Sequence, residues 1–110
     1  MKNIVENNKL IADFMGYEKY TYRGYTMYVF EEDNHRTEVD LHYHKNWNWL
    51  MDVVEKIDSI GYSVNISSSM VYINSDNGRI VNPILIGVKT KIECLYEAVV
   101  EFIKWYNEQK

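Results

Sequence analysis

Four side chains that can bind a metal ion alternate along one short segment. They are Glu38, Asp40, His42 and His44. Alternate residues of a strand share a face, and carboxylates with imidazoles suit zinc or another first-row metal. Side chains on one face stand about 6.5–7 Å apart, however, so one strand rarely gives three ligands to one ion. A solvated polar face is the more frequent outcome, so we predict no metal and no cofactor, and a metal-dependent enzyme is the least favoured alternative.

Other catalytic signals in the sequence are weak. A pair of histidines can act as general acid and base, but such enzymes carry two H-x-T/S motifs, whereas His42-x-His44 occurs once. Cys94 lies in the first turn of a predicted helix, where a thiol pKa can fall, yet no histidine and asparagine partners are matched to it. Gly78 and Gly87 are isolated and form no phosphate-binding loop. The sequence therefore predicts no catalytic residue and favours a protein that is not an enzyme.

Aromatic residues are the unusual feature of the composition, at 15%, with 10 Tyr and 3 Trp. Aromatic side chains on a sheet can stack nucleobases, and nearby arginines can bind phosphates. The same tyrosines can instead pack between sheet and helix with their hydroxyls at the rim, or form a subunit interface. The residues predicted to contact a ligand are Tyr22, Arg23, Tyr28, Arg36, His44 and Trp47.

The helical tryptophans indicate that some of this aromatic surface is left over for a partner. Trp47 and Trp49 lie about 200° apart around one helix, so they cannot enter the same core. One of them is expected to be buried and the other to be available to a neighbour or a ligand. Together with the tyrosines, this is more aromatic surface than a small monomer can hide, and it predicts a homo-oligomer.

Three segments show the apolar period of a helix, at residues 3–15, 47–60 and 91–108. Gly16 and Gly61 follow the first two as helix-ending residues, and Asn46 is suited to cap the second. Thr90 and Glu93 have the spacing of a capping box at the start of the third.

Four segments are predicted as strands, at residues 22–30, 36–43, 62–73 and 79–88. Gly24 is interpreted as a bulge, and the serines at 67–69 as a bulge or bend, because the apolar parity changes there. Asp76-Asn77-Gly78 predicts a hairpin turn, and Pro83 indicates either an edge strand or the start of a strand after a break. The expected fold is α+β in the order α-β-β-α-β-β-α, with three helices packed on one four-stranded, mostly antiparallel sheet.

Length and charge limit the classes of protein that fit. A chain of 110 residues predicts one domain, at residues 1–110. A single cysteine favours a reducing compartment, and a net charge of −4 argues against nucleic acid as a partner. The sequence shows no secretory signal and no membrane-spanning run, which predicts a cytoplasmic protein in a bacterial cell.

Three segments of the chain resemble small phage and Bacteroidota proteins and the phage ABA sandwich domain. They are residues 8–16, 43–57 and 90–107. The resemblance implies a phage origin and an α/β sandwich, and it implies no catalytic residues. Many small phage proteins counter host defence, some by sequestering nucleotide signals, so by analogy we expect a homo-oligomer that captures a nucleotide-like ligand. A module that blocks a host protein is the alternative.

Overall fold

The computed structural model describes residues 3–87 and 89–109, and all three predicted helices are present in it. Helix α1 spans Ile4–Met15, α2 spans Trp47–Ser59 and α3 spans Lys91–Glu108. The predicted caps are confirmed: the Asn46 side chain accepts a hydrogen bond from the backbone N–H of Trp49, and Thr90 with Glu93 forms a reciprocal capping box. In the described part of the chain, no helix is long and apolar enough to cross a membrane.

The strands form two three-stranded antiparallel sheets, so the expectation of one four-stranded sheet was wrong. The first sheet has the order β1-β2-β3 and the second β4-β5-β6. The strands, in chain order, are β1 Glu18–Tyr22, β2 Tyr25–Glu31, β3 Asn34–Thr37, β4 Ser63–Ile66, β5 Met70–Ser75 and β6 Gly78–Leu85. Val88, the predicted last residue of the fourth strand, lies outside the described residues.

Two chain reversals account for the extra strands. Arg23 and Gly24 both have positive φ, 51° and 82°, which is the backbone of a two-residue type I′ turn rather than a bulge. The run at residues 67–69 likewise reverses the chain, and the Ser67 N–H donates to the Met70 carbonyl at 3.0 Å. The predicted strand at 62–73 is therefore a hairpin, and its change of parity marks the turn.

The segment that was predicted as a strand at 36–43 is a strand for only its first part. Strand β3 ends at Thr37, and a short 3-10 helix follows over Glu38–Asp40. The other two turn and edge predictions are confirmed, because Ser75 pairs with Gly78 across a two-residue turn and β6, which holds Pro83, is an edge strand.

Helix α3 is the centre of the core. It contacts both other helices and the strands β5 and β6 of the second sheet. Eight of its residues are buried, in an unbroken apolar stripe that includes Leu95, Val99, Phe102 and Ile103. Sheet β4-β5-β6 is covered by this helix, whereas β1 is exposed along its whole length. The first hairpin thus extends from the core and presents a free face.

Candidate functional site

Three tyrosines share the outer face of the first hairpin, and we call them the tyrosine face: Tyr20, Tyr22 and Tyr25. Tyr22 lies directly opposite Tyr25 across the turn, and Tyr20 lies opposite Met27. Residues that pair across strands point to the same side of a sheet, so the three rings line one side. They are 42%, 54% and 52% exposed. If alternate residues are counted from Tyr22 through the turn, as if the strand were continuous, Tyr25 falls on the opposite face.

Polar groups hold the two ends of the tyrosine face. At the turn, the Arg23 guanidinium lies over the Tyr22 ring, 5.3 Å from its centroid. At the other end, His35 Nε2 lies 3.0 Å from the Glu32 carbonyl, and its Nδ1 lies 2.8 Å from the Tyr20 hydroxyl. A carbonyl only accepts, so the ring proton is on Nε2 and the Tyr20 hydroxyl donates to Nδ1. This fixes the direction of one hydroxyl at the edge of the face.

Tyr28, a predicted ligand contact, lies on the opposite side of the same strand. Its ring is fully buried, and its hydroxyl donates to Asp13 at 3.2 Å. Burial, and then the negative charge of Asp13, raises the pKa of Tyr28 well above its usual range. The structure therefore places this residue in the core, with its hydroxyl reaching the rim of helix α1.

Arg36, another predicted contact, belongs to a separate cluster on the inner side of β3. Its guanidinium lies 4.9 Å from the centroid of the Trp49 ring and donates to Asp40 at 3.3 Å. The other carboxylate oxygen of Asp40 lies 3.1 Å from His42 Nε2. This stacked and paired arginine is occupied by the protein itself, away from the tyrosine face.

The four residues considered as metal ligands do not converge. The 3-10 turn breaks their alternation, and the Glu38 carboxylate accepts from the Thr26 N–H at 3.1 Å and pairs with Lys9 at 3.3 Å. These two partners, the backbone N–H first, lower the pKa of Glu38. Asp40 pairs with His42 instead. Within residues 3–87 and 89–109, no group of three or more His, Cys, Asp or Glu side chains is placed to hold a metal ion.

His44 lines a pocket of about 400 Å³ beside the first turns of α3, together with Ile4, Tyr96 and three charged residues. Buried Asn8 fixes the imidazole. The Asn8 amide nitrogen lies 2.9 Å from the Leu41 carbonyl, which only accepts, and 3.0 Å from His44 Nδ1. His44 Nδ1 must then be an acceptor, so the neutral ring carries its proton on Nε2. The Asn8 oxygen accepts from the Tyr96 hydroxyl at 2.9 Å, so both the nitrogen and the oxygen of the amide are hydrogen-bonded.

The pH dependence of stability is expected to include a contribution from His44. Burial, then the nearby charges of Lys45 and His42, lowers the pKa of His44. The unfolded chain therefore takes up this proton first, and the free energy of unfolding falls as the pH drops below about 6.5. Urea unfolding of wild type and of His44→Gln across this range should show a steeper acid-side loss in wild type. Parallel curves would contradict this assignment.

Cys94 shows no sign of a reactive thiol. It is fully buried, and its sulfur donates to the Leu85 carbonyl at 3.5 Å. Burial, reinforced by Glu97, raises the pKa of the Cys94 thiol, despite its place near the start of α3. The thiolate, which is the nucleophilic form, is thus disfavoured.

The tryptophan prediction is confirmed in part, because Trp47 is exposed but Trp49 is half-buried rather than fully buried. Trp47 is 38% exposed, and Trp49 packs against the core between Phe30 and Tyr43, with ring centroids at 5.1 and 5.2 Å. Among the predicted ligand contacts, the structure brings Tyr22 together with Arg23 at the turn, and Tyr28 together with Arg36 as cross-strand neighbours on the side of the sheet opposite the tyrosine face. His44 and Trp47 lie at other places, and the Tyr28 ring is buried in the core.

Sequence reasoning missed the other members of the tyrosine face and the amide that fixes His44. For Tyr20 and Tyr25, the available signal was a single glycine, Gly24, between two runs of β-prone residues. For Asn8, no local signal existed, because its partners at positions 41, 44 and 96 are distant in sequence.

Comparison with known proteins finds no relative. No family model matches the chain, and neither the curated proteins nor the solved structures contain a match. The resemblance to the phage ABA sandwich domain therefore stays a prediction.

Proposed function

We propose that this chain is a non-catalytic binding protein that captures a nucleotide-like ligand on its tyrosine face and acts as a homo-oligomer. The observation that carries the proposal is the exposure of three tyrosines on one side of a hairpin, with Arg23 at their end. Exposed aromatic rings on a sheet stack bases, each contact being worth about 1–3 kcal/mol, and a guanidinium pairs with phosphate. Sequestering a host signal nucleotide is the role that the phage resemblance would give to such a site.

Two features of the site support a binding role over catalysis. The type I′ turn places Tyr22 opposite Tyr25, and the Tyr20 hydroxyl is hydrogen-bonded to His35, so the three residues share one side of the hairpin before a ligand arrives. The only histidine on this face, His35, has both ring nitrogens occupied by Tyr20 and Glu32. The site offers stacking surface and one cation, which suits recognition.

Calorimetric titration with cyclic dinucleotides and ADP-ribose derivatives tests the proposal. Wild type should bind at least one of them, and Tyr22→Ala should weaken the affinity about 10-fold or more, the loss of one stacking contact. Trp47→Ala is the matched control, because it removes an exposed aromatic ring on helix α2, outside the tyrosine face. No heat and no thermal shift across the panel, or equal losses in the two variants, would overturn the proposed site.

A protein partner is the second candidate for the same surface. Tyrosine is enriched at protein interfaces, and the hairpin also presents an exposed strand. In this case the chain would block a host protein. A pull-down from bacterial lysate that recovers one stoichiometric protein with wild type, but not with Tyr22→Ala, would favour it over the nucleotide.

A further inference from the structure

Strand β1 is an open sheet edge that the protein leaves uncovered. All five of its residues are exposed, and β2 is its ladder partner among the described residues. An unpaired edge presents a row of N–H and C=O groups to any strand that can approach. The other edges are less receptive, because β3 and β4 have four residues each and β6 contains Pro83, which lacks an N–H donor.

The turn fixes which backbone groups of β1 point outward. Residues that flank a two-residue hairpin turn form a hydrogen-bonded pair, here Tyr22 with Tyr25. Hydrogen-bonded pairs alternate with non-hydrogen-bonded pairs along an antiparallel ladder. The backbone N–H and C=O groups of Tyr20 therefore also point toward β2, whereas those of Lys19 and Thr21 point away from it, toward the open edge. A hydrogen bond of strand β2 supports this alternation. Thr26 lies opposite Thr21, and its N–H points away from β1 because it donates to Glu38.

We propose that a second copy of this chain adds its own β1 antiparallel to this edge, with Tyr20 of both copies on a twofold axis. Lys19 of each copy then pairs with Thr21 of the other through two backbone hydrogen bonds, which gives four in all and a continuous six-stranded sheet. Only a register centred on Tyr20 pairs the outward backbone N–H and C=O groups of Lys19 and Thr21 in both copies. This inference rests on the proposed function, since it names the oligomer that displays the tyrosine face.

The twofold axis stands normal to the joined sheet, so it keeps the two tyrosine faces on the same side. Six exposed tyrosine rings would form one strip, with Tyr20 of both copies at its middle and Arg23 at each end. Such an arrangement gives a ligand with two bases, or two bases and a bridging phosphate, contacts to both copies. An interface of two five-residue strands is small, so the dimer should be concentration-dependent and strengthened by such a ligand.

Cross-linking through Tyr20→Cys tests the register directly. At the twofold axis the residue meets its own copy in a non-hydrogen-bonded pair, with a Cα–Cα distance of about 4.5 Å, which is within the range of a disulfide. Tyr22→Cys is the matched control, because its two copies would lie about 14 Å apart in this register. The native Cys94 is buried and does not compete. Under mild oxidation, Tyr20→Cys should give a covalent dimer on a non-reducing gel and Tyr22→Cys should not.

Thr21→Pro tests the edge without the new thiol. The substitution removes an outward N–H and leaves the pairing with β2 intact, so the hairpin should fold while the dimer is lost. Sedimentation should show concentration-dependent dimers for wild type and monomers for Thr21→Pro, with unchanged circular dichroism. A wild type that is monomeric at all concentrations, or equal cross-linking of the two cysteine variants, would overturn the pairing.

Nucleotide titration of Thr21→Pro separates this inference from the proposed function. If the pairing is correct, the monomeric variant should bind a two-base ligand more weakly than wild type. Ligand binding that is equally strong in wild type and variant, with no dimer in wild type, would refute the pairing and leave the tyrosine face as the binding site. A dimer that cross-links at Tyr20 but binds no nucleotide would support the pairing and refute the nucleotide as its ligand.

Discussion

Phe102→Ala is expected to lower the free energy of unfolding by about 3–5 kcal/mol, the usual cost of removing a fully buried phenylalanine. The ring is 0% exposed at the centre of α3. It meets Phe14 and Tyr62 edge-on, with ring centroids at 6.1 and 4.9 Å, and stacks with Tyr106 at 5.8 Å. Its loss leaves a cavity among rings that come from α1, α3 and the residue before β4.

Urea unfolding followed by circular dichroism measures this cost as a lower midpoint with an unchanged slope. Val39→Ala is the control, since Val39 is 63% exposed in the 3-10 helix and its replacement should change stability by less than about 0.5 kcal/mol. Equal midpoints for the two variants would show that the aromatic cluster is not the main packing site of the core.

Asn8→Ala is expected to lower the free energy of unfolding by about 2–4 kcal/mol, because it removes a buried side chain together with its hydrogen bonds to three partners. Those partners are the Leu41 carbonyl, His44 Nδ1 and the Tyr96 hydroxyl. The change should also raise the pKa of His44, since the amide N–H that opposes protonation at Nδ1 is lost.

The first effect is read by urea unfolding and the second by NMR titration of the His44 ring. Asn48→Ala is the matched control: it removes an exposed amide in the first turn of α2, and stability should change by less than about 0.5 kcal/mol. A loss of stability in Asn8→Ala with no change in the His44 pKa would mean that the amide acts on Leu41 and Tyr96 but not on the tautomer of His44.

The helices could be predicted from the sequence because their signals are local. The apolar stripe of α3 and its capping pair, Thr90 and Glu93, lie within one continuous segment. The residues that mark the ends of α2 likewise lie next to that helix in the sequence. The strand predictions were wrong where the sequence of a turn resembles that of a strand. Arg23-Gly24 lacks the Asn or Asp that usually marks a type I′ turn, and the serine run at 67–69 lacks a glycine, so both reversals were taken for irregularities within longer strands.

The candidate site depended on those same reversals. Which tyrosines share a face is decided by the register across the turn. Tyr25 lies opposite Tyr22 on the outer side, whereas Tyr28, which was predicted to contact a ligand, is buried in the core. The Asn8 amide network was beyond sequence reasoning for another reason. Its contacts join α1 to residues 33, 36 and 88 positions away, and pairings at such separations leave no periodic pattern in the chain.

The hairpin construction of both sheets has a consequence for how the chain folds. Every ladder joins strands that are neighbours in sequence, through connections of two or three residues, so both sheets can form from local segments. Local contacts have a small loop-closure entropy, which favours rapid folding. The contacts that close the longest loops are those between α1 and α3, including the bond from Tyr96 to Asn8. Docking of the first helix onto the last should therefore be completed after the transition state, and substitutions at Asn8 should mainly accelerate unfolding.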